Sequence, residues 1–411
     1  MKIGLVRAID RYAGIPACLV MSIGCWLLKK TAAGSLPARP VQRILFIELS
    51  EMGSAILAYP AMKYILERHP GAELYFLIFK ENRFSVDLLN IMPPHHVYTI
   101  SIHSALAFIR STVKALRDLR RLKIDVVFDL ELFSRFSALL ATLSGAPVRA
   151  GYHRYHMEGL YRGSLMTHPV MYTPHQHMSK NFLAMVKSLA HGTERPLAKE
   201  IISGPLPLPG HIAGPEEKAA VLQRLIALCP AVKKAKHLIL LNPSAGTLLP
   251  IRAWPFENYV ELSRRILQGF DAVIIIVGLS DAIDPAEKIL GETGKERCVS
   301  LAGKTSVSEL LALFAQSSLL ITADGGPAHF ATLTRTPSLV FFGPETPALY
   351  GPLGDQAVSL FAGLSCSPCL TAYNHRKTTC QDPRCMSAIS VDQAFAQVEK
   401  ILSGFHHSQN P

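Results

Sequence analysis

Residues 318–354 read SLLITADGGPAHFATLTRTPSLVFFGPETPALYGPLG, and the fold follows from how this stretch alternates. Leu319 to Thr322 is an apolar run short enough for a buried strand, and it breaks at Asp324-Gly325-Gly326-Pro327. Ala328 to Leu333 then has helical character, with Pro327 suited to a helix start, where its missing N–H would be unpaired in any case. Gly325 and Gly326 let backbone amides approach a ligand, so the start of this helix is an anion site. A second strand, Ser338 to Phe342, ends in Gly343-Pro344-Glu345-Thr346-Pro347. In an open α/β sheet both loops fall on the carboxyl edge, where ligands bind.

The alternation extends outward from this stretch. Leu238 to Leu241 and Ala272 to Val277 read as strands, ending in Asn242–Thr247 and Gly278-Leu279-Ser280-Asp281, with helices from Glu216 and Glu257. Ser306 and Glu309 predict a capping box at the start of a helix over Val307 to Gln316. Further toward the N-terminus come a strand at Arg43 to Glu48, the loop Leu49–Ser54 and a helix over Ala55 to Arg68. The same rhythm supplies a strand over Leu74 to Phe79, a helix over Ala105 to Leu122, a strand over Asp125 to Leu130 and a helix over Ser134 to Leu143. Strands alternating with helices predict an α/β chain with doubly wound parallel sheets.

At 411 residues the chain suits two domains. The proline-rich run Gly204 to Gly210 marks their connection. The division expected is a membrane-associated apolar segment and linker at 1–35, an N-terminal domain at 36–205 and a C-terminal domain at 206–411. The last carries a four-cysteine insertion near 366–385.

The net charge of +11 predicts anionic partners. No helix-turn-helix, zinc-finger or RNP-type signal appears and the basic residues are dispersed, which argues against nucleic acid. Between Arg11 and Lys29 lie 17 uncharged residues, Tyr12 to Leu28, interrupted by Pro16 and flanked by basic residues. Asp10 and the late onset of the run count against a signal peptide. The run is expected to lie on an anionic membrane or span it at the short limit; a helix packed on the body is the alternative.

The chain is similar to glycosyltransferase family 9, the ADP-heptose:lipopolysaccharide heptosyltransferases. Asp324, Gly326, Pro327, His329 and Ala331, then Phe342-Gly343-Pro344, Pro347 and Gly351-Pro352-Leu353-Gly354, follow the family pattern D-[TG]-G-P-x-H-x-A, F-G-P-T-x-P, G-P-x-G. Ile251-Arg252-Ala253-Trp254-Pro255 resembles the family's K-R-W-P, Leu301 to Ser306 its L-A-G-K-T-S, and Leu49-Ser50 with Pro60-Ala61 its first-domain motifs.

The resemblance implies a GT-B fold, two Rossmann-like domains facing a cleft, with the acceptor on the first and the nucleotide-sugar on the second. It further implies inverting transfer of a heptose or related sugar, from ADP-heptose above other nucleotide-diphosphate donors, to a lipopolysaccharide core or another lipid-linked glycan. Such an enzyme works at the cytoplasmic face of the bacterial inner membrane and needs no cofactor for catalysis.

By the same resemblance Arg252 meets the donor's phosphates or ribose, as suits a guanidinium, and Asp281 binds ribose hydroxyls. Ser244 and the Lys304 loop belong to the donor side, the latter over the nucleotide base. Asp324 binds sugar hydroxyls, the Gly325–Gly326 turn faces the diphosphate, and His329 serves packing or the phosphate side. Trp254 is expected to pack.

Where the family carries its catalytic aspartate, this chain has Ser54. A serine takes no proton from an acceptor hydroxyl near neutrality without a base beside it. Glu51 in the same loop is the preferred base, with Glu48 at the strand end the other choice. Loss of that aspartate also suits a degenerate glycan- or nucleotide-binding protein. A dinucleotide-dependent dehydrogenase is disfavoured, because no G-x-G-x-x-G follows the first strand.

Two further groups stand out. Arg149, Arg154 and Arg162 are candidates to meet acceptor phosphates. Cys366, Cys369, Cys380 and Cys385 have the spacing C-x2-C-x10-C-x4-C, open to a structural zinc site or to simple reduced thiols.

Overall fold

The computed structural model describes residues 3–27, 40–132, 134–152, 161–190, 201–246, 249–371 and 378–404. Two compact units divide between Pro207 and Leu208.

In the first unit six parallel strands stand in the order β3-β2-β1-β4-β5-β6. They are β1 (Arg43–Ile47), β2 (Glu73–Phe79), β3 (Val97–Ile100), β4 (Val126–Asp129), β5 (Val148–Tyr152) and β6 (His168–Val170). The central strands are buried on both faces, which is why RILFI and VVFD read as continuous apolar runs without alternation. The helices are α1 (Ile3–Tyr12), α2 (Gly14–Leu27), α3 (Met52–Leu57), α4 (Tyr59–Arg68), α5 (Phe84–Asp87), α6 (Ala105–Leu122), α7 (Arg135–Leu143) and α8 (Met178–Lys187). The helix expected over 55–68 is two, α3 and α4, joined at Ala58. Pro60 lacks the N–H that would continue the ladder, so the chain starts a new helix with proline in its first turn.

The N-terminal helices pack on the body. Asp10 Oδ1 accepts from the backbone N–H groups of Arg135 and Phe136, at 2.9 and 2.8 Å, and so closes the first turn of α7 from outside. Gly14 passes so close that a Cβ there would stand 2.9 Å from Arg135 Cδ. Cys18 and Cys25 of α2 are buried with Ala138 of α7 and Leu165, and Ser22 Oγ takes the Ser164 N–H at 2.8 Å. Burial pushes the Cys18 thiol up to about 11, as suits an inert packing cysteine. Among the described residues no helix is long and apolar enough to cross a membrane. The spanning form expected of residues 12–28 is therefore not what α2 shows; one face of it is buried on α7.

The second unit repeats the architecture. Its parallel order is β12-β11-β10-β7-β8-β9, the first unit's order in corresponding places. The strands are β7 (His237–Asn242), β8 (Ala272–Ile276), β9 (Cys298–Ser300), β10 (Leu319–Ala323), β11 (Ser338–Phe342) and β12 (Ala357–Phe361). Around them lie α9 (Pro215–Leu228), α10 (Phe256–Gly269), α11 (Ile283–Thr293), α12 (Val307–Phe314), α13 (Gly326–Thr334), α14 (Pro347–Tyr350), α15 (Arg384–Ser387) and α16 (Val391–Gly404). Ser306 and Glu309 form the expected capping box of α12. Trp254 is a core residue as expected: it lies 4.3 Å from the Phe341 ring and donates to the Ile389 carbonyl at 2.9 Å.

Candidate functional site

In both units the strand order reverses between two central strands, β1 and β4 in the first, β7 and β10 in the second. Loops leaving such a pair diverge, and the opening between them is where open α/β sheets bind ligands. The candidate residues gather at these two places.

At the first, β1 runs into Glu48 and the loop to α3, while β4 ends in Asp129, the register partner of Ile47. Glu131 reaches under the loop and fixes it. Its Oε1 accepts from the N–H groups of Leu49 and Ser50, at 2.9 and 3.2 Å, and from Ser50 Oγ at 3.2 Å. Asn82 Nδ2 holds the Ser50 carbonyl from the other side at 3.0 Å. On this fixed loop Glu51 stands at the start of α3, half-buried, and Ser54 Oγ donates to Glu51 Oε2 at 2.8 Å. The Ser54 hydroxyl is thus spent on the neighbouring Glu51 carboxylate.

Beneath lies a buried charge network that sequence reasoning missed. Arg162 Nη2 donates to Asp129 Oδ2 and to Ser137 Oγ, and Ser137 Oγ donates to the same Asp129 oxygen at 3.2 Å. Burial raises the Asp129 carboxyl above its usual range while Arg162 and Ser137 pull it back. Burial likewise raises Glu131, against the amide of Leu49, and pushes the buried Tyr152 phenol well up. Arg162 is 1% exposed and Arg149, also buried, spends its guanidinium on the carbonyls of Leu165 and Ala146 at 2.8 and 2.7 Å. The expectation that these two arginines present themselves to acceptor phosphates is therefore corrected: both are interior. Arg154 lies outside the described residues. An acidic pair closing an apolar strand, Asp129-Leu130-Glu131, was the available signal.

At the second place β7 ends at Asn242 and β10 leads into Asp324. Asn242 and Thr322 are register partners, and Asn242 Nδ2 donates to Thr322 Oγ1 at 3.1 Å. Ser244 Oγ donates to Asp281 Oδ2 and accepts from the Gly246 N–H at 3.0 Å, which joins the loops after β7 and β8. A Cβ at Gly278, where φ is +145°, would meet Ala282 Cβ at 2.5 Å, so the Asp281 loop needs glycine there. Arg252 comes in from the loop before α10 and its Nη1 donates to Asp324 Oδ2 at 3.1 Å. Its Nε is buried and makes no hydrogen bond. Gly325 and Gly326 open α13 directly after Asp324, and His329 is buried one turn into that helix.

Glu345, which sequence reasoning passed over, completes this group. It is 1% exposed in the loop after β11 and hydrogen-bonded to Asp324. Burial first, and the neighbouring Asp324 second, push the Glu345 carboxyl well above its ordinary value. Asp324 is raised by burial too, but Arg252 opposes that. Two buried carboxyls thus face one guanidinium, both raised by burial, with Arg252 holding Asp324 back.

Lys304 stands apart: its side chain is exposed, and its carbonyl accepts from Arg224 Nη2 at 2.9 Å. The loop is nevertheless tied to the Asp281 loop by Gly303 N–H to the Gly278 carbonyl at 2.9 Å.

The cysteine segment buttresses the Glu345 loop. Ser367 Oγ donates to the Gly343 carbonyl, and the amides of Cys369 and Leu370 to that of Pro344 at 2.9 and 2.8 Å. None of Cys366, Cys369, Cys380 and Cys385 is in a disulfide, and Cys385 is buried and raised by burial and by the other three. Among the described residues no three His, Cys, Asp or Glu side chains converge to hold a metal ion.

Residues 112–379 match the sequence profile of glycosyltransferase family 9 (heptosyltransferase). Among curated relatives, lipooligosaccharide heptosyltransferase 2 of Haemophilus influenzae is 30% identical over 110 residues, 26% of this chain and 32% of that protein. The chain thus matches about a third of the length of the first of these relatives. Among solved structures, E. coli ADP-heptose lps heptosyltransferase II superposes with a TM-score of 0.67 at 19% identity, over 89% of this chain and 100% of the other. E. coli heptosyltransferase WaaC with ADP-2-deoxy-2-fluoro heptose gives 0.61 at 16%, over 87% and 99%. The two doubly wound units are those of this GT-B fold.

Proposed function

Because the chain belongs to glycosyltransferase family 9, we propose that it transfers a heptose or closely related sugar from a nucleotide-diphosphate donor, ADP-heptose first, to a hydroxyl of a lipopolysaccharide core or other lipid-linked glycan. The observation that carries this reading is Arg252, fixed by Asp324 through one nitrogen and holding a buried, unpaired Nε beside the start of α13. A guanidinium edge and free helix amides are what a departing diphosphate needs. A solved relative bound to an ADP-heptose analogue supports the choice of donor.

In this reading the acceptor hydroxyl gives its proton to Glu51 as its oxygen bonds to the anomeric carbon. The bond to the diphosphate breaks on the opposite face, and its electron pair leaves on the phosphate oxygen, met by Arg252 and the Gly325–Gly326 amides. Ser54 is a positioning residue that orients Glu51 through the 2.8 Å hydrogen bond. Asp324 receives sugar hydroxyls, and Asp281, oriented by Ser244, receives ribose. The retained donor-side set favours an enzyme over a binding protein that has lost its chemistry.

We also place the chain at the cytoplasmic face of the inner membrane. Tyr12, Ile15, Leu19, Val20, Ile23, Trp26 and Leu27 lie exposed on the N-terminal helices, Trp26 at 70%, away from the buried stripe of Gly14, Cys18 and Cys25. The test of the reaction is release of nucleoside diphosphate from ADP-heptose with membrane glycolipid extract as acceptor. Turnover is expected in the wild type and lost in Asp324→Ala; donor binding without turnover under any acceptor would replace the reading with a binding protein.

A further inference from the structure

Helix α6 carries a second surface unlike the rest of the molecule. Its inner stripe, Ala115 and Leu119, is buried against the first sheet's core. Its outer half is divided lengthwise. Leu106, Ile109 and Val113, spaced i, i+3, i+7, are 56, 59 and 60% exposed, and Arg110, Lys114, Arg117 and Arg121, spaced i, i+4, i+7, i+11, run alongside as an exposed basic stripe. The helix has five basic residues and one acid, Asp118, which lies 3.8 Å from Arg117 and 4.0 Å from Arg121. Arg110 and Lys114 make no ion pair within 4 Å among the described residues.

Between α6 and α7 the surface sinks into an open groove of about 450 Å³, floored by Val113, Leu116 and Leu143 and edged by Arg117, Arg120 and Arg121. Arg120 Nε holds the Leu143 carbonyl at 2.6 Å, which fixes that edge. The neighbour across the groove is α7, the helix on which α2 is packed. The apolar stripes of α2 and α6 thus flank one helix; elsewhere among the described residues Ile201, Ile212, Leu228, Leu279 and Ile283 are exposed.

We propose that this face of α6 docks on an anionic phospholipid bilayer, with Leu106, Ile109 and Val113 in the headgroup boundary and Arg110, Lys114, Arg117 and Arg121 on lipid phosphates. Charge complementarity selects the occupant. A protein partner would leave four like charges to be matched one by one, while an anionic lipid surface supplies a continuous field for the stripe and apolar depth for its neighbours. The inference deepens the membrane reading of α1 and α2 but stands on different residues, so the two fail separately. With both, the first unit is held at two places.

The experiment is flotation of the full chain with phosphatidylcholine vesicles containing or lacking phosphatidylglycerol, comparing the wild type, Arg110→Gln/Lys114→Gln, Ile109→Ser/Val113→Ser and, separately, Leu19→Ser/Trp26→Ser. Each basic residue near an anionic surface is worth about 1 kcal/mol, so the first pair is expected to weaken binding to anionic vesicles roughly thirty-fold, with unchanged circular dichroism. The serine pair in α6 is expected to weaken it as well. Wild-type-like binding by the Gln pair, with loss only in Leu19→Ser/Trp26→Ser, overturns the inference while sparing the membrane reading of α2. Sensitivity to the charges alone, with Ile109→Ser/Val113→Ser unaffected, identifies a polyanion site and overturns it too.

Discussion

Two sheets with the same strand order open at the same place, and the chain has filled the two openings with different electrostatics. At the β1/β4 opening three acids, Glu48, Asp129 and Glu131, and one guanidinium are buried under the loop, and the loop's own carboxylate, Glu51, is only half-buried. At the β7/β10 opening burial raises both acids, Asp324 and Glu345, and Arg252, held by Asp324, faces them. The first arrangement encloses its arginine: Arg162 is 1% exposed, with Nε and Nη1 unpaired inside, and in the proposed reading the base is Glu51 above it. The second leaves its arginine, 13% exposed and held by Asp324, within reach of the opening, and in the proposed reading that is the anion site. A common topology decides where a site is, and the charge that a ligand can reach decides what it can receive.

The comparison breaks first at Arg162. If its pair with Asp129 is structural, Arg162→Met leaves a buried carboxylate unpaired and is expected to lower unfolding stability by about 3–5 kcal/mol, read by urea titration, with ADP binding unchanged. Loss of ADP binding at unaltered stability would put Arg162 on the wrong side of the comparison.

Arg252→Ala is expected to do the opposite. It should cut turnover by about 10²–10³ and weaken ADP binding, with little change in melting temperature, as removal of a donor to developing charge does elsewhere.

Glu345→Gln tests the raised Glu345 carboxyl. A carboxyl raised in the folded state binds its proton more tightly there than in the unfolded chain. Its contribution is therefore complete below the ordinary value of 4.5 and is lost as pH rises toward the folded value. Stability of the wild type should fall across that window by up to about 1.4 kcal/mol per pH unit more than that of Glu345→Gln, which keeps a donor to Asp324 at every pH. Parallel stability curves would leave Glu345 ionised and the pairing wrong.

The smallest effect is expected at Cys366, exposed in the buttressing segment. Cys366→Ser should shift stability by less than about 0.5 kcal/mol, since surface substitutions away from special features do so. A collapse of the Glu345 loop, seen as lost ADP binding, would instead give the thiols a joint structural role.

What was legible in the chain were features written in near neighbours. The strands at 43–47, 319–323 and 338–342 follow from apolar runs, α6 from its spacing, and the α12 cap from Ser306 and Glu309 three residues apart. Asp324 at a strand end and the glycine turn into α13 were legible for the same reason. Contacts across long sequence separations were not. Nothing near Asp10 announces that it closes α7, more than 120 residues on, and nothing near Arg149 announces that its guanidinium is used up by carbonyls. The apolar run at 12–28 gave its length but not which face would be buried, because that is settled by where Arg135, Ala138 and Leu165 meet it. Glu345 was invisible as a functional group because its raised carboxyl comes from burial beside Asp324, not from its place in the motif.

The central claim is that Glu51, held by Ser54, takes the acceptor's proton in place of the family's aspartate. The direct measurement is the rate of ADP release from ADP-heptose with glycolipid acceptor for the wild type and Glu51→Gln, alongside ADP affinity. Loss of about 10²–10⁴ in kcat with ADP affinity unchanged is expected. Full turnover in Glu51→Gln would contradict the account and move the base to another group.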